Sequence, residues 1–354
     1  MIFDFFIVGN GLAGSLIANE LLKAGKKIRI FDNPLKQSSS SVAGGMFNPV
    51  TGKYLTKTWL DEQLFSVMFG FYKKIETDLN IKILFETGIF RPFSNLENKQ
   101  HFKNQIEKNQ LTNYIDIIEE SEDISSFINA PFGGLHTKLS GWVNVPILLE
   151  ALQIKFQTLE ILNHIDFDFK ELCTKNDAIQ YKNLEAKQII FSEGFYAKDN
   201  PFFNWLPFNP VKGETILGEI ENYNVKSIIN QGKWLIPLSG NKIRLGATYS
   251  WHSLDFKSTE SAKEQLLIGA NKFLKKEIKI ISQQAGVRPS TQDRRPFIGT
   301  HPKFKNIHIF NGLGTKGVSL APYFVSQFIE MLLFQKDIHP ETTIERYFSL
   351  YSYR

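Results

Sequence analysis

Apolar residues fall along this chain in short blocks whose spacing switches between strand-like runs and helical periods. Ile2 to Val8 is almost continuously apolar, broken only by Asp4, and predicts a buried strand. Leu12 to Ala24 repeats its apolar positions at helical spacing, and Lys27 to Phe31 predicts a second strand closed by Asp32. Helices are expected over Leu60 to Leu79 and Ile147 to Phe156, with a strand-like stretch from Ile83 to Phe93 between them. Strands follow around Ile161 to Phe169, Ala178 to Leu184 and Lys187 to Phe191. β-like segments at Thr215 to Ile220, Lys233 to Pro237 and Lys242 to Tyr249 precede a charged helix, Thr259 to Phe273. The strand Ile307 to Phe310 and the helix Ser319 to Phe334 close the series.

Two segments break this rhythm. Asn95 to Ser126 is polar, charged and mixed in period, and reads as part of a different layer. From Phe202 the composition shifts again, through Trp205-Leu206-Pro207-Phe208-Asn209-Pro210. The order therefore predicts a mixed α/β and α+β chain with a discontinuous Rossmann-like domain built from 1–80, 133–200 and 286–354. A mostly antiparallel domain from 81–132 and 201–285 is inserted into it. Ligands of such folds bind beyond the C-terminal ends of the parallel strands, often between domains.

The predicted first strand runs directly into Gly9-Asn10-Gly11-Leu12-Ala13-Gly14, a G-x-G-x-x-G turn followed by a helix. Gly9 permits the tight exit, Gly11 clears the approach to a pyrophosphate, and Gly14 lets the helix pack closely on the sheet. The helix start offers free N–H groups and a positive dipole end to phosphates. Asp32, at the end of the second strand, is placed to accept hydrogen bonds from ribose hydroxyls. Strand, turn, helix, strand and acid together point to an adenine dinucleotide. The polar loop Ser38 to Pro49, with Ser39, Ser40, Ser41, Ala43, Gly44, Gly45 and Met46, permits close backbone approach to a flat or phosphorylated ligand.

Two later regions carry further candidate chemistry. Gly286 to Gly299 contains Arg288, whose planar fork suits either a substrate carboxylate or a structural salt bridge. Asp293 and Arg295 read as stabilisers of that turn or of the domain junction. Asn311-Gly312-Leu313-Gly314-Thr315-Lys316-Gly317-Val318 joins a strand to the last helix and presents backbone N–H groups to an anionic edge. Lys316 adds a positive charge there, or is simply a solvated lysine. Tyr249 and His252 are pocket candidates, whereas His308 and the group Phe202, Phe203, Trp205 and Phe208 read as structural.

Composition narrows the remaining classes. The 354 residues suffice for two domains, and 42% hydrophobic with 22% charged residues is ordinary for a globular protein. No apolar stretch is expected to cross a membrane, since Pro322, Gln327 and Glu330 interrupt the longest one, and no signal peptide is expected at the N-terminus. The single cysteine, Cys173, excludes an internal disulfide and a thiolate cluster, and fits a cytoplasmic setting. No histidine pattern suggests a metal site. The net charge of +5 is spread over dispersed lysines that read mainly as solvated faces, although it would also suit an anionic substrate or a nucleic-acid surface.

Taken together, Gly9 to Gly14 with Asp32, the Ser39 to Pro49 loop, Val211-Lys212-Gly213-Glu214, Gly286 to Gly299, and Asn311 to Val318 with Ala321-Pro322 resemble the D-amino-acid oxidase-like family of FAD-dependent oxidoreductases. That family includes glycine oxidase, sarcosine oxidase and the flavin domain of the bifunctional enzyme that modifies the tRNA wobble uridine. The resemblance implies FAD, with Gly9, Gly11, Leu12, Ala13, Gly14 and Asp32 at its ADP half and Ser39 to Ala43 near the pyrophosphate. It implies Gly44 to Met46 near the isoalloxazine and Gly312 and Gly314 to Val318 along the pyrimidine side. Arg288, Tyr249 and Lys316 are then the catalytic-site candidates, with Arg288 holding a substrate carboxylate.

The implied reaction is oxidation of an amine or amino-acid C–N bond by hydride transfer to flavin, with oxygen as the acceptor. Departures are visible as well. Lys212 and Glu214 stand where the family often has Arg-Gly-Gln, and no cysteine follows Arg288 to link the flavin covalently. Asp293 to Gly299 resembles the tRNA-modifying branch more than glycine oxidase, so tRNA stays open as a partner. A nicotinamide dehydrogenase and a non-catalytic dinucleotide-binding regulator are the readings from other classes.

Overall fold

The computed structural model describes residues 2–119, 122–175 and 178–352. Ile2–Val8 is the central strand of an eight-stranded sheet. Its continuous apolar run has a simple cause, because both faces are covered. Phe5 and Ile7 pack under helices, while Phe6 and Val8 enter an aromatic cluster on the opposite face. Ile28–Asp32, Leu162–His164, Leu184–Phe191 and Ile307–Asn311 run parallel to it or to its neighbours. The strand ends Val8, Asp32, Phe191 and Asn311 therefore gather at one edge. Helices Leu12–Lys23, Val145–Thr158 and Gly317–Phe334 cover one face of this Rossmann-like unit.

A second eight-stranded sheet runs in the order Lys279–Arg288, Val211–Glu219, Lys242–Gly246, Lys233–Pro237, Ile228–Gln231, Ile89–Pro92, Gly134–Thr137, Ile115–Ile118. All its neighbours are antiparallel except Ile228–Gln231 with Ile89–Pro92. The fold is thus a discontinuous Rossmann-like domain with a sheet-rich, mostly antiparallel insertion. Its second sheet includes Gly134–Thr137 and continues through Ala285 to Arg288.

Several expected elements change shape. The stretch Ile83 to Phe93 divides into Leu84–Phe85 and Ile89–Pro92, in different sheets, because Gly88 turns the chain at a positive φ of 72°. The strand expected over Ile161 to Phe169 is limited to Leu162–His164, and Asp168 caps a short 3-10 turn after it. Lys242 to Tyr249 ends as a strand at Gly246, so Tyr249 lies beyond it. Asn95 to Ser126, apart from residues 120 and 121 outside the described set, holds the helix Leu96–Lys108 and the strand Ile115–Ile118. Lys279–Arg288 is a ten-residue strand that apolar periodicity did not reveal.

The helix Gly317–Phe334 is, contrary to expectation, long and apolar enough by composition to span a membrane. Here its apolarity serves the interior: Val318, Leu320, Ala321, Phe324, Val325 and Phe328 are buried in the main core.

Two buried histidines tie the sheets to the interior. His308 sits between Thr300 and Gln188, and burial pushes its pKa down to about 3. His301 accepts two backbone N–H bonds at Nδ1, and burial pushes its pKa down to about 4. Both imidazoles are neutral in the folded chain and gain protons near pH 6.5 when it unfolds. Stability is therefore expected to fall as pH drops from about 6.5 towards 4, by up to roughly 1.4 kcal/mol per pH unit for each imidazole. Urea unfolding at pH 7 and pH 5 checks this; equal midpoints would contradict it.

Candidate functional site

A cleft of about 570 Å³ lies where the C-terminal edge of the first sheet meets one face of the second. At one end the glycine turn is packed tightly. A side-chain carbon on Gly9 would lie 2.5 Å from the Ser192 carbonyl oxygen, and one on Gly14 only 1.9 Å from the Gly9 carbonyl oxygen. Gly11 differs, since the nearest atom to such a carbon is Ser40 Oγ at 3.3 Å. Gly9 and Gly14 close the turn, while Gly11 leaves space above the start of helix Leu12–Lys23. Ser40 Oγ accepts the Leu12 N–H at 3.2 Å, and Gly11 has no side chain to cap the helix.

Asp32 Oδ1 accepts the Asn10 N–H at 2.9 Å, which fixes the carboxylate beside that turn. Burial raises its pKa, and the Asn10 N–H opposes the shift. Glu193 lines the same end; burial pushes its carboxyl up to about 7, and Asn200 donates to it at 2.6 Å. Phe195, Tyr196 and Phe256 form an aromatic wall nearby.

The loop after Asp32 passes along the cleft. A side-chain carbon on Gly45, whose φ is 67°, would lie 1.9 Å from the Val143 carbonyl oxygen, so the loop sits directly on Gly141–Val143. From the far side, Lys316 reaches Thr58 Oγ1 at 3.2 Å, and burial lowers its pKa, with Arg295 and Arg294 adding repulsion. The helix Gly317–Phe334 begins beside it without a side-chain cap. The N-termini of two helices thus open towards one cleft.

The second sheet supplies the floor through Gly213, Thr215, Gly286 and Arg288. The Arg288 guanidinium lies directly above Gly213, where a side-chain carbon would meet its nitrogens at 2.2 and 2.3 Å. It stacks on the Tyr249 ring, 4.6 Å from the centroid, and reaches the Thr248 carbonyl at 3.4 Å. Among the described residues it has no carboxylate partner within salt-bridge distance. Burial lowers its pKa, and the neighbouring Tyr249 works in the opposite direction.

Most of the expected site residues meet in this cleft. Gly9, Gly11, Leu12, Ala13, Asp32, Ser39, Ser40, Ala43 to Met46, Tyr249, Arg288 and Gly314 to Val318 all line it. Gly14, Ser41 and Gly312 stand behind the lining. Gly14 packs on Gly9, Ser41 donates to the Ser38 carbonyl, and Gly312 packs on Thr291. His252 is exposed away from it. Asp293 accepts the Arg295 N–H within the turn and also bonds Arg346, while Arg295 pairs with Glu341.

The residues not anticipated are Thr215, Trp234, Phe195, Tyr196, Phe256 and Glu193. The aromatic doublet Phe195-Tyr196 directly after Ser192-Glu193-Gly194 was the available signal for the last group.

The segment beyond Tyr249 is fastened from below. Lys212, almost fully buried, donates to Asp255 and to the Lys257 carbonyl, each at 2.6 Å. Glu214 accepts from Thr259 and Gln283. Lys212 Nζ also lies 3.7 Å from the buried Glu214 carboxyl group, so replacing Lys212 with methionine leaves that group without its cation, and a stability loss of roughly 3 kcal/mol is expected. Chemical denaturation measures it, and a variant as stable as the parent would show that the ion cluster does not hold this segment.

The chain belongs to the FAD dependent oxidoreductase family, which matches residues 4–325. FAD is accordingly its cofactor, and the cleft fits: Gly11 is open where Gly9 and Gly14 are closed, and two helix starts whose N-cap residues supply no side-chain cap face it. The chain is 26% identical, over 85% of its length, to the tRNA 5-methylaminomethyl-2-thiouridine biosynthesis bifunctional protein MnmC of Legionella pneumophila. It spans about half of that relative, 46% of its length. It is 23% identical to glycine oxidase of Pseudomonas aeruginosa, over 89% of this chain and 91% of that one. The fold matches the crystal structure of glycine oxidase from Geobacillus kaustophilus with a TM-score of 0.77, 20% identity and 95% of each chain covered.

Proposed function

We propose that this chain oxidises the C–N bond of a small amine or amino acid that carries a carboxylate, with oxygen as the electron acceptor. The single observation that carries the reading is Arg288, a half-buried guanidinium over the cleft floor with no acidic partner among the described residues. A buried unpaired cation is costly, and an anionic ligand offsets that cost.

When bound, FAD supplies the two-electron oxidation by accepting a hydride. The chain's own residues bind, orient and polarise. Arg288 would grip the carboxylate through two N–H bonds and fix its distance from the flavin loop at Gly44 to Met46. Lys316 and the start of helix Gly317–Phe334 would hold positive potential on the opposite side, where negative charge develops. A neutral amine then needs no dedicated base. The similarity to glycine oxidases over nine-tenths of the chain supports this reading.

A second reading has its own support. The MnmC relative acts in tRNA modification by its name, and the stacked pair Tyr249 and Trp251 lies more than half exposed at the lip of the cleft. In that reading the oxidised amine is attached to a tRNA base. The single free cysteine, Cys173, suits a cytoplasmic setting for either.

Anaerobic reduction of the bound flavin, read by loss of its absorbance, tests both. Glycine, sarcosine, proline, larger D-amino acids and modified tRNA form the panel. Reduction by a free amino acid establishes the first reading. Reduction by modified tRNA alone establishes the second, and no reduction by any member removes both.

A further inference from the structure

Trp234 occupies a position on the cleft that no sequence motif marks. It lies in the strand Lys233–Pro237 and pairs across the ladder with Gly246, which in turn pairs with Thr215. Its indole lies flat over Gly246, where a side-chain carbon would meet Cζ2 at 2.3 Å and Cη2 at 2.4 Å. The same edge of the ring presses on the flavin loop, since a side-chain carbon on Gly44 would meet Cη2 at 2.7 Å. Two bare glycines, one on the sheet and one on the loop, therefore create the slot that holds this ring. The ring also lines the cleft.

Register fixes its distance from Arg288. The guanidinium stands over Gly213 and the indole over Gly246, which pairs with Thr215 two residues further along the same strand. One step of two residues and one strand spacing separate them by roughly 8 Å. A carboxylate at hydrogen-bond distance from the guanidinium uses about half of that span. What is left above Thr215 admits about one further carbon before contact with the ring.

Resting on the carboxylate reading of Arg288, we infer that Trp234 is the wall that limits the size of the group attached to the substrate's carboxylate-bearing carbon. Gly44 and Gly246 are conditions for that wall. A side chain at either would displace the indole into the cleft or out of its slot. Trp234 is a specificity residue and takes no part in the chemistry.

Calorimetric binding of unreactive carboxylates to the FAD-loaded protein tests this without turnover. Acetate, isobutyrate and benzoate are titrated into the parent and into Trp234→Ala and Trp234→Phe. The parent is expected to favour acetate over benzoate, and Trp234→Ala to shift that ratio towards benzoate by about tenfold or more, in line with pocket discrimination elsewhere. Trp234→Phe keeps a flat but smaller wall and should fall between them; its ratio decides if the alanine variant does not fold. An unchanged ratio in the folded variants overturns the assignment of Trp234 and leaves the carboxylate reading intact. No binding of any carboxylate to the parent overturns the reading of Arg288 and the wall with it.

Discussion

Arg288→Ala is expected to lower kcat/KM for a carboxylated substrate by roughly a hundredfold or more while the protein stays yellow. A bidentate guanidinium–carboxylate contact makes two charge-assisted hydrogen bonds, each worth about 1.5–3 kcal/mol. Every 1.4 kcal/mol is a factor of ten. Flavin retention follows from the position of Arg288 on the second sheet, away from the glycine turn proposed to hold the ADP half. Arg288→Lys keeps the charge and loses the fork, so it should recover only part of the loss. Steady-state kinetics with a carboxylated amine and its decarboxylated analogue make the comparison. An equal fall for both would show that Arg288 acts through the fold of the floor and not through the carboxylate. Such an outcome has a structural route, since Arg288 also stacks on Tyr249.

The second large effect separates two glycines of one turn. Gly11→Ala is expected to weaken FAD binding severely while leaving the apoprotein close to parental stability. Its φ is an ordinary −75°, and the new carbon meets only Ser40 Oγ, at 3.3 Å. The carbon instead enters the space through which phosphates would approach the helix start. Gly14→Ala should damage both properties. There the carbon meets the Gly9 carbonyl oxygen at 1.9 Å, and two backbone segments must part. Overpacking of this kind typically costs about 1–3 kcal/mol, before any loss of cofactor. Gly70→Ala, inside helix Asp61–Leu79 with nothing within 4 Å, is the control and should stabilise by up to about 1 kcal/mol. Bound flavin per chain and thermal unfolding of the apoproteins give the two readouts. A Gly11→Ala protein that purifies fully loaded would remove that glycine from the cofactor's path.

The N-terminal half of the cleft was legible in the sequence because its physics is local. Strand, tight turn, helix start and Asp32 lie within one short stretch, and each residue type answers a constraint of its immediate neighbours. The loop from Ser39 to Met46 was legible for a similar reason, since small residues in series mark close backbone approach. Lys279–Arg288 escaped notice because Ser282, Gln283 and Gln284 interrupt its apolar pattern. Gln283 is satisfied there by Glu214 and the Thr259 carbonyl, partners that only the folded sheet brings near.

The sequence by itself therefore determined the glycine turn, the acid beside it and the parallel core around them. It left open whether Arg288 was a substrate ligand or one half of a salt bridge, because that depends on which acids lie within about 4 Å. Among the described residues the tertiary structure brings no acid within salt-bridge distance of the guanidinium, which it places over Gly213. It also brought Trp234 to the same floor from a separate strand. Local conformation is set by neighbours along the chain, whereas the shape and charge of the substrate's end are set by strand register. That register is decided by how whole sheet faces pack, and no single motif encodes it.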